Sequence, residues 1–137
     1  MIKIRELDHI VLRASDPEKM ITFYCDVLGC RLEKVQETFG LYQLRAGASL
    51  IDLVSISGQL GRLGGAAPGV GARNMDHFCV RVEPFDETAI LKHLARFDIT
   101  PEPAAPRYGA EGTGPSIYVA DPENNIVELK GPPNIGS

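Results

Sequence analysis

Leu7-Asp8-His9-Ile10-Val11-Leu12-Arg13 returns 68 residues later as Met75-Asp76-His77-Phe78-Cys79-Val80-Arg81. Each half then closes on an apolar stretch that encloses one carboxylate, Ser49-Leu50-Ile51-Asp52-Leu53-Val54 and Asn125-Ile126-Val127-Glu128-Leu129. An internal repeat decides architecture before any local propensity does. Here it predicts an α+β fold of two βαβββ modules within a single domain over residues 1–137. Repeat one covers about residues 5–56, a linker covers 57–74 and repeat two covers about 75–131.

Local signals fill in each module. Residues 7–14 have strand character. Asp16-Pro17-Glu18 then starts a helix, with Asp at the N-cap, Pro at the first helical position and an acid in the first turn. Met20, Phe23, Tyr24, Val27 and Leu28 recur at helical spacing up to a stop at Gly29. Strands are predicted at 31–37, 41–46 and 49–56, with turns at Gly40 and Gly47. The second module repeats the order. It has a strand at 76–82, a helix capped near Asp86 with Ile90, Leu91, Leu94 and Phe97, and strands near Ile99, at 116–119 and at 126–130. Asn125, after Asp121-Pro122-Glu123-Asn124, is placed to take a positive φ.

Two stretches read as irregular. Residues 57–74 hold six glycines and read as a flexible connector. Gly69-Val70-Gly71 within them is no phosphate loop, since no Gly-Lys-Ser/Thr follows. Residues 101–115, rich in Pro and Gly, read as either a lid or a surface excursion.

Composition narrows the function. A chain of 137 residues suffices for a core without disulfides or structural zinc. A net charge of −4 without a basic cluster argues against nucleic-acid binding. No apolar run approaches the roughly 18 residues of a membrane span, and residues 1–6 form no export signal, so a cytoplasmic protein is expected. Cys25, Cys30 and Cys79, odd in number and lacking CxxC spacing, read as free thiols of a reducing compartment.

Strand alternation carries the argument to chemistry. His9, Val11 and Arg13 share one face of their strand, opposite Ile10 and Leu12; His77, Cys79 and Arg81 share a face opposite Phe78 and Val80. With the apolar faces under the helices, both histidines fall on the open side. Asp52 and Glu128 sit among aliphatic neighbours, where an ionised carboxylate is costly unless paired, hydrogen-bonded or bound to metal. Two such carboxylates in equivalent repeats, each with a histidine, point to a metal site of His9, Asp52, His77 and Glu128 rather than to separate ion pairs. Two imidazoles and two carboxylates suit a divalent Zn, Ni, Co, Mn or Fe. His93, between Lys92 and Arg96, reads as a solvated surface residue.

These motifs resemble the vicinal oxygen chelate superfamily, the glyoxalase/bleomycin-resistance/extradiol-dioxygenase group. The resemblance spans roughly residues 5–131 and rests on DHIVL (8–12), MDHFCV (75–80), SDPEKMITFYCDVLGCRL (15–32) and IYVADPENNIVEL (117–129). It implies paired modules in an open, cup-like mixed sheet around one divalent metal, with His9, Asp52, His77 and Glu128 as ligands. It also implies a homodimer with two sites that binds a small-molecule substrate. Within the group the chain is most similar to glyoxalase I, whose reaction would convert a glutathione hemithioacetal through an enediolate. Glutathione would then be the co-substrate, Glu128 the proton-moving base and Asp52 a ligand or second catalytic carboxylate. Arg13 would hold the glutathione carboxylate, and its repeat partner Arg81 is read as substrate-binding with it. Asp52 stands where glyoxalase I has Glu, one methylene or about 1.5 Å shorter.

Three rival functions sit on the same scaffold. A fosfomycin-type thiol transferase would want basic residues beyond the closing glutamate, where only Lys130 stands. Extradiol dioxygenases use a His, His and Glu set with Fe(II), generally on four modules. A non-catalytic drug-binding dimer typically lacks the metal set retained here.

Overall fold

The computed structural model describes residues 1–134, which group into two compact units, Met1–Asn74 and a second beginning at Met75. The first holds β1 (His9–Ala14), α1 (Pro17–Thr22), β2 (Arg31–Gln36), β3 (Leu41–Ala46) and β4 (Ser49–Ser55). The second holds β5 (Phe78–Arg81), α2 (Glu87–Ala95), β6 (Ala105–Gly109), β7 (Gly112–Ala120) and β8 (Ile126–Lys130). Each unit forms its own four-stranded mixed sheet, in the order β1-β4-β3-β2 and β5-β8-β7-β6. In both, the first strand runs parallel to the last and the remaining pairs are antiparallel. This is the α+β class of two βαβββ modules.

The helix starts obey the local chemistry. Asp16 accepts a hydrogen bond from Lys19 N at 3.2 Å ahead of Pro17, and Asp86 accepts one from Ala89 N at 3.1 Å. After α1 the backbone widens into a π-helical stretch, Phe23–Val27, which buries Phe23, Tyr24 and Val27 together before Gly29 turns out at φ +78°. The apolar sheet faces then find cover. Leu12, Ala14, Ile51 and Leu53 are buried in the first unit; Ile117, Val119, Val127 and Leu129 are buried in the second.

Several details depart from the sequence reading. No strand forms at Ile99. Asp98 takes φ +59° and Ile99 N–H donates back to Leu94 O, closing the helix end. Residues 101–115 are largely a hairpin of β6 and β7 rather than a lid or excursion. The prolines that suggested a loop, Pro106 and Pro115, stand opposite each other in register, so the missing N–H groups coincide at one rung. The positive φ of the Asp121 turn falls on Asn124, at +64°. Asn125 serves differently: its N–H and Nδ2 both donate to the buried Asp121 carboxylate, at 2.9 and 2.8 Å.

Residues 57–74 carry anchors that composition does not show. Arg13 donates from Nε to Gly61 O (3.1 Å), from Nη1 to Ala66 O (3.0 Å) and from Nη2 to Gly65 O (2.6 Å). Asn74 brackets the Arg13 backbone, accepting from its N–H at 3.2 Å and donating to its carbonyl at 3.0 Å. A glycine-rich segment without a ladder leaves carbonyls unpaired, and the guanidinium fork satisfies three of them. His93 is half-buried, its ring edge-on to Phe97 with centroids 5.3 Å apart.

Leu53 lies fully buried on β4, the strand flanked by β1 and β3. Leu53→Ala is expected to destabilise the protein by about 2–5 kcal/mol, the usual range for a buried leucine truncated in a packed core. A urea unfolding midpoint indistinguishable from that of the parent protein would contradict this packing.

Candidate metal centre

Each unit assembles one half of the expected ligand set. In the first, the parallel register sets Val11 beside Asp52, so His9 and Asp52 share the polar face. His9 Nε2 lies 4.0 Å from Asp52 Oδ2. In the second, Cys79 lies beside Glu128, and His77 Nε2 lies 3.3 Å from Glu128 Oε1. Both carboxylates are buried, Asp52 at 4% and Glu128 at 6% exposure.

Two residues outside the predicted set orient the imidazoles. His9 Nδ1 lies 2.7 Å from Asp8 Oδ1, and His77 Nδ1 lies 2.5 Å from Asp76 Oδ2. An ionised carboxylate only accepts, so Nδ1 donates to it in each ring and Nε2 is left to face a buried carboxylate in both units. A carboxylate in that position requires a proton on Nε2 or a cation between the two groups.

The surroundings favour a cation. Asp52 Oδ1 is buried without any hydrogen-bond partner among the described residues. Its other oxygen accepts from Gln43 Nε2 at 3.3 Å, and Gln43 Oε1 accepts in turn from Gln36 Nε2 at 3.3 Å. The amide relay thus holds Oδ2, the oxygen that faces His9, while Oδ1 stays an orphaned buried acceptor. The Asp8 carboxylate bonded to Nδ1 pushes His9 above its ordinary value, partial desolvation opposes this, and Asp52 adds to the rise. The donor set, all imidazole and carboxylate with Nε2 presented, fits a divalent ion. Among the described residues, no cluster of three or more His, Cys, Asp or Glu is assembled. The geometry on view is therefore two His–carboxylate pairs, one per unit.

The remaining predicted residues have other engagements. Arg13 commits Nε, Nη1 and Nη2 to the carbonyls described above. Arg81 donates from Nε to Glu111 Oε1 at 2.7 Å and from Nη1 to Val82 O at 2.6 Å. Cys25, Cys30 and Cys79 are free. Burial pushes Cys30 up to about 11; burial and then the Glu128 carboxylate push Cys79 up to about 11.

Asp8 and Asp76 were within the repeated motif, each directly before its histidine, and that adjacency was a usable signal. Gln43 and Tyr118 were not accessible in the same way. They stand opposite Asp52 and Glu128 only through strand register, which a single sequence leaves open.

With this geometry established, comparison identifies the class. The Glyoxalase/Bleomycin resistance protein/Dioxygenase superfamily profile matches residues 6–129, and the chain belongs to that superfamily. It is 33% identical over 129 residues to the glyoxalase domain-containing protein RDO1 of Mycosarcoma maydis, covering 93% of this chain and 69% of RDO1. Among solved structures it is similar to the virulence protein STM3117 of Salmonella typhimurium, at 25% identity and TM-score 0.79 over 96% of this chain and 99% of that one. It shares its fold with lactoylglutathione lyase from Agrobacterium tumefaciens, at 20% identity and TM-score 0.66 over 92% of each chain. No helix among the described residues is long and apolar enough to cross a membrane.

Asp8→Asn and Asp76→Asn should each weaken Co(II) binding about 10–100-fold, the usual cost of removing a carboxylate behind a ligating histidine. His9 must give up its Nε2 proton to bind metal, so affinity should fall as pH drops through its raised pKa. Asp8→Asn should move that fall to lower pH; unchanged affinity and pH midpoint would contradict the orienting role. Arg13→Ala should cost about 1–3 kcal/mol in urea unfolding, because three carbonyls lose a charged donor. Unfolding identical to the parent protein's would show that the clamp contributes nothing.

Proposed function

We propose that His9, Asp52, His77 and Glu128 together bind one divalent ion, drawn from Zn, Ni, Co, Mn and Fe, and that the protein is a glyoxalase I-like isomerising lyase. The observation that carries this reading is the repeated arrangement of an Nδ1-anchored imidazole whose Nε2 faces a buried carboxylate. A pair of ligands is too few for a catalytic metal, which takes about three protein ligands and keeps an open position. The two half-sites therefore serve one ion, and a homodimer provides two such sites.

A bound divalent ion supplies Lewis acidity to vicinal substrate oxygens. The chain's own residues do the rest. Glu128, buried and close to His77, takes the proton from one substrate carbon and returns it to the neighbouring carbon. Asp52 is held by Gln43 through Oδ2, which fits a fixed ligand better than a mobile base. The substrate in this reading is the hemithioacetal of a 2-oxoaldehyde and a thiol, glutathione being the thiol. Arg81 meets its anionic end, since its Nη2 makes no hydrogen bond among the described residues; Arg13 serves the linker.

The test is turnover of the methylglyoxal–glutathione hemithioacetal by apo protein reloaded separately with each metal. Metal-dependent thioester formation is expected, with kcat reduced about 10²–10⁴-fold in Glu128→Gln, the usual range for loss of a general base. Stoichiometric metal binding without turnover under any metal would overturn the glyoxalase reading.

A further inference from the structure

The two units carry equivalent ligand pairs but unequal surroundings. In the first, Arg13 holds three linker carbonyls, Arg45 forks onto Glu33 at 3.0 and 2.8 Å, and Lys34, in register with Gln43, is exposed to solvent. In the second, Arg107 and Lys130 have no carboxylate partner among the described residues. Both belong to the polar face of their sheet. Register sets Arg107 opposite Gly114, Ser116 opposite Lys130, and Tyr118 opposite Glu128, and positions two apart on β7 share a face.

The contacts link these groups to the ligand pair. The Arg107 guanidinium lies 4.3 Å over the Tyr118 ring, and Tyr118 stands edge-on to His77 with centroids 5.5 Å apart. Arg107 spends Nη1 on Ser116, reaching its carbonyl at 2.7 Å and its hydroxyl at 2.9 Å. Nε and Nη2 make no hydrogen bond among the described residues. Lys130 is 6% exposed, and its Nζ reaches only Gly114 O, at 3.5 Å. Its path exists because position 109 is glycine: a Cβ there would stand 2.5 Å from Lys130 Cε. A buried ammonium is costly without a counter-charge, and a half-free planar guanidinium matches an oxyanion in geometry.

We propose that Arg107, held by the buried Ser116, and Lys130 form an oxyanion subsite beside His77 and Glu128 that recognises a carboxylate or phosphate-like group on the substrate. Arg107 is then a specificity-determining residue, held flat by Tyr118 so that its free edge meets the anion. The subsite selects anionic members of the substrate class. The anion contact itself needs no metal. Only its place next to the reacting atoms rests on the metal reading.

The experiment titrates full-length protein, with and without Zn(II), with inorganic phosphate and with acetate, followed by NMR. Zinc stoichiometry is measured on the same samples. Saturable binding of at least one anion is expected, weakened at least tenfold in Arg107→Gln and only partly restored in Arg107→Lys, which keeps the charge but not the stacked fork, with zinc stoichiometry unchanged. Preference for phosphate or for acetate tells which oxyanion the subsite favours. Absence of saturable binding, or equal binding by Arg107→Gln, overturns the subsite. Failure of zinc to bind while anions still do would sink the metal reading alone.

Discussion

Two carboxylates buried in aliphatic strands are the constraint around which this protein is organised. Asp52 lies between Ile51 and Leu53, and Glu128 between Val127 and Leu129, in the two strands that join their sheets' parallel and antiparallel halves. Withdrawing an ionised carboxylate from water costs several kcal/mol unless charge or hydrogen bonds compensate. Gln43 compensates part of that cost for Asp52, and an imidazole stands near each carboxylate. The aspartate behind each ring accepts from Nδ1, so the space between Nε2 and its carboxylate calls for a proton or a cation. Surrounding features read as support: Asp121 pins the turn before β8, and the Arg13 clamp pins the segment after β4.

Duplication accounts for much of the architecture, and divergence accounts for the chemistry. Both units keep the Asp-His pair, the parallel first and last strands and the central carboxylate. They differ in the third and fourth strands, where one offers glutamine amides and the other offers Tyr118, Arg107 and Ser116. One frame accommodates such changes because the two carboxylates sit on β4 and β8 while the differing residues come from the strands beyond them. Superfamily membership therefore defines the frame, and the substrate is written in the residues around it.

Much of this was legible from residue types alone. Asp16-Pro17 placed α1, Gly40 and Gly47 placed two turns, and alternation put His9 and His77 opposite the buried Leu12 and half-buried Val80. What escaped depended on pairing. Pro106 and Pro115 suggested a loop because nothing local shows two prolines sharing one rung of a hairpin. Six glycines suggested a mobile connector, since a distant arginine's hydrogen bonds leave no mark on local composition. Asn124 took the positive φ because Asn125 is occupied with Asp121. Arg107 was invisible as a site residue for the same reason as Gln43: register brings it to Tyr118, and sequence spacing does not.

Whether two imidazoles and two carboxylates share one divalent ion is read by X-ray absorption at the zinc edge of Zn-loaded protein. One zinc per chain is expected, in a shell of nitrogen and oxygen alone at about 2.0–2.2 Å. Two imidazoles should contribute, with one lost in His9→Ala and one in His77→Ala. A sulfur shell near about 2.3 Å, or zinc retained with the same imidazole count in both variants, would contradict the shared site.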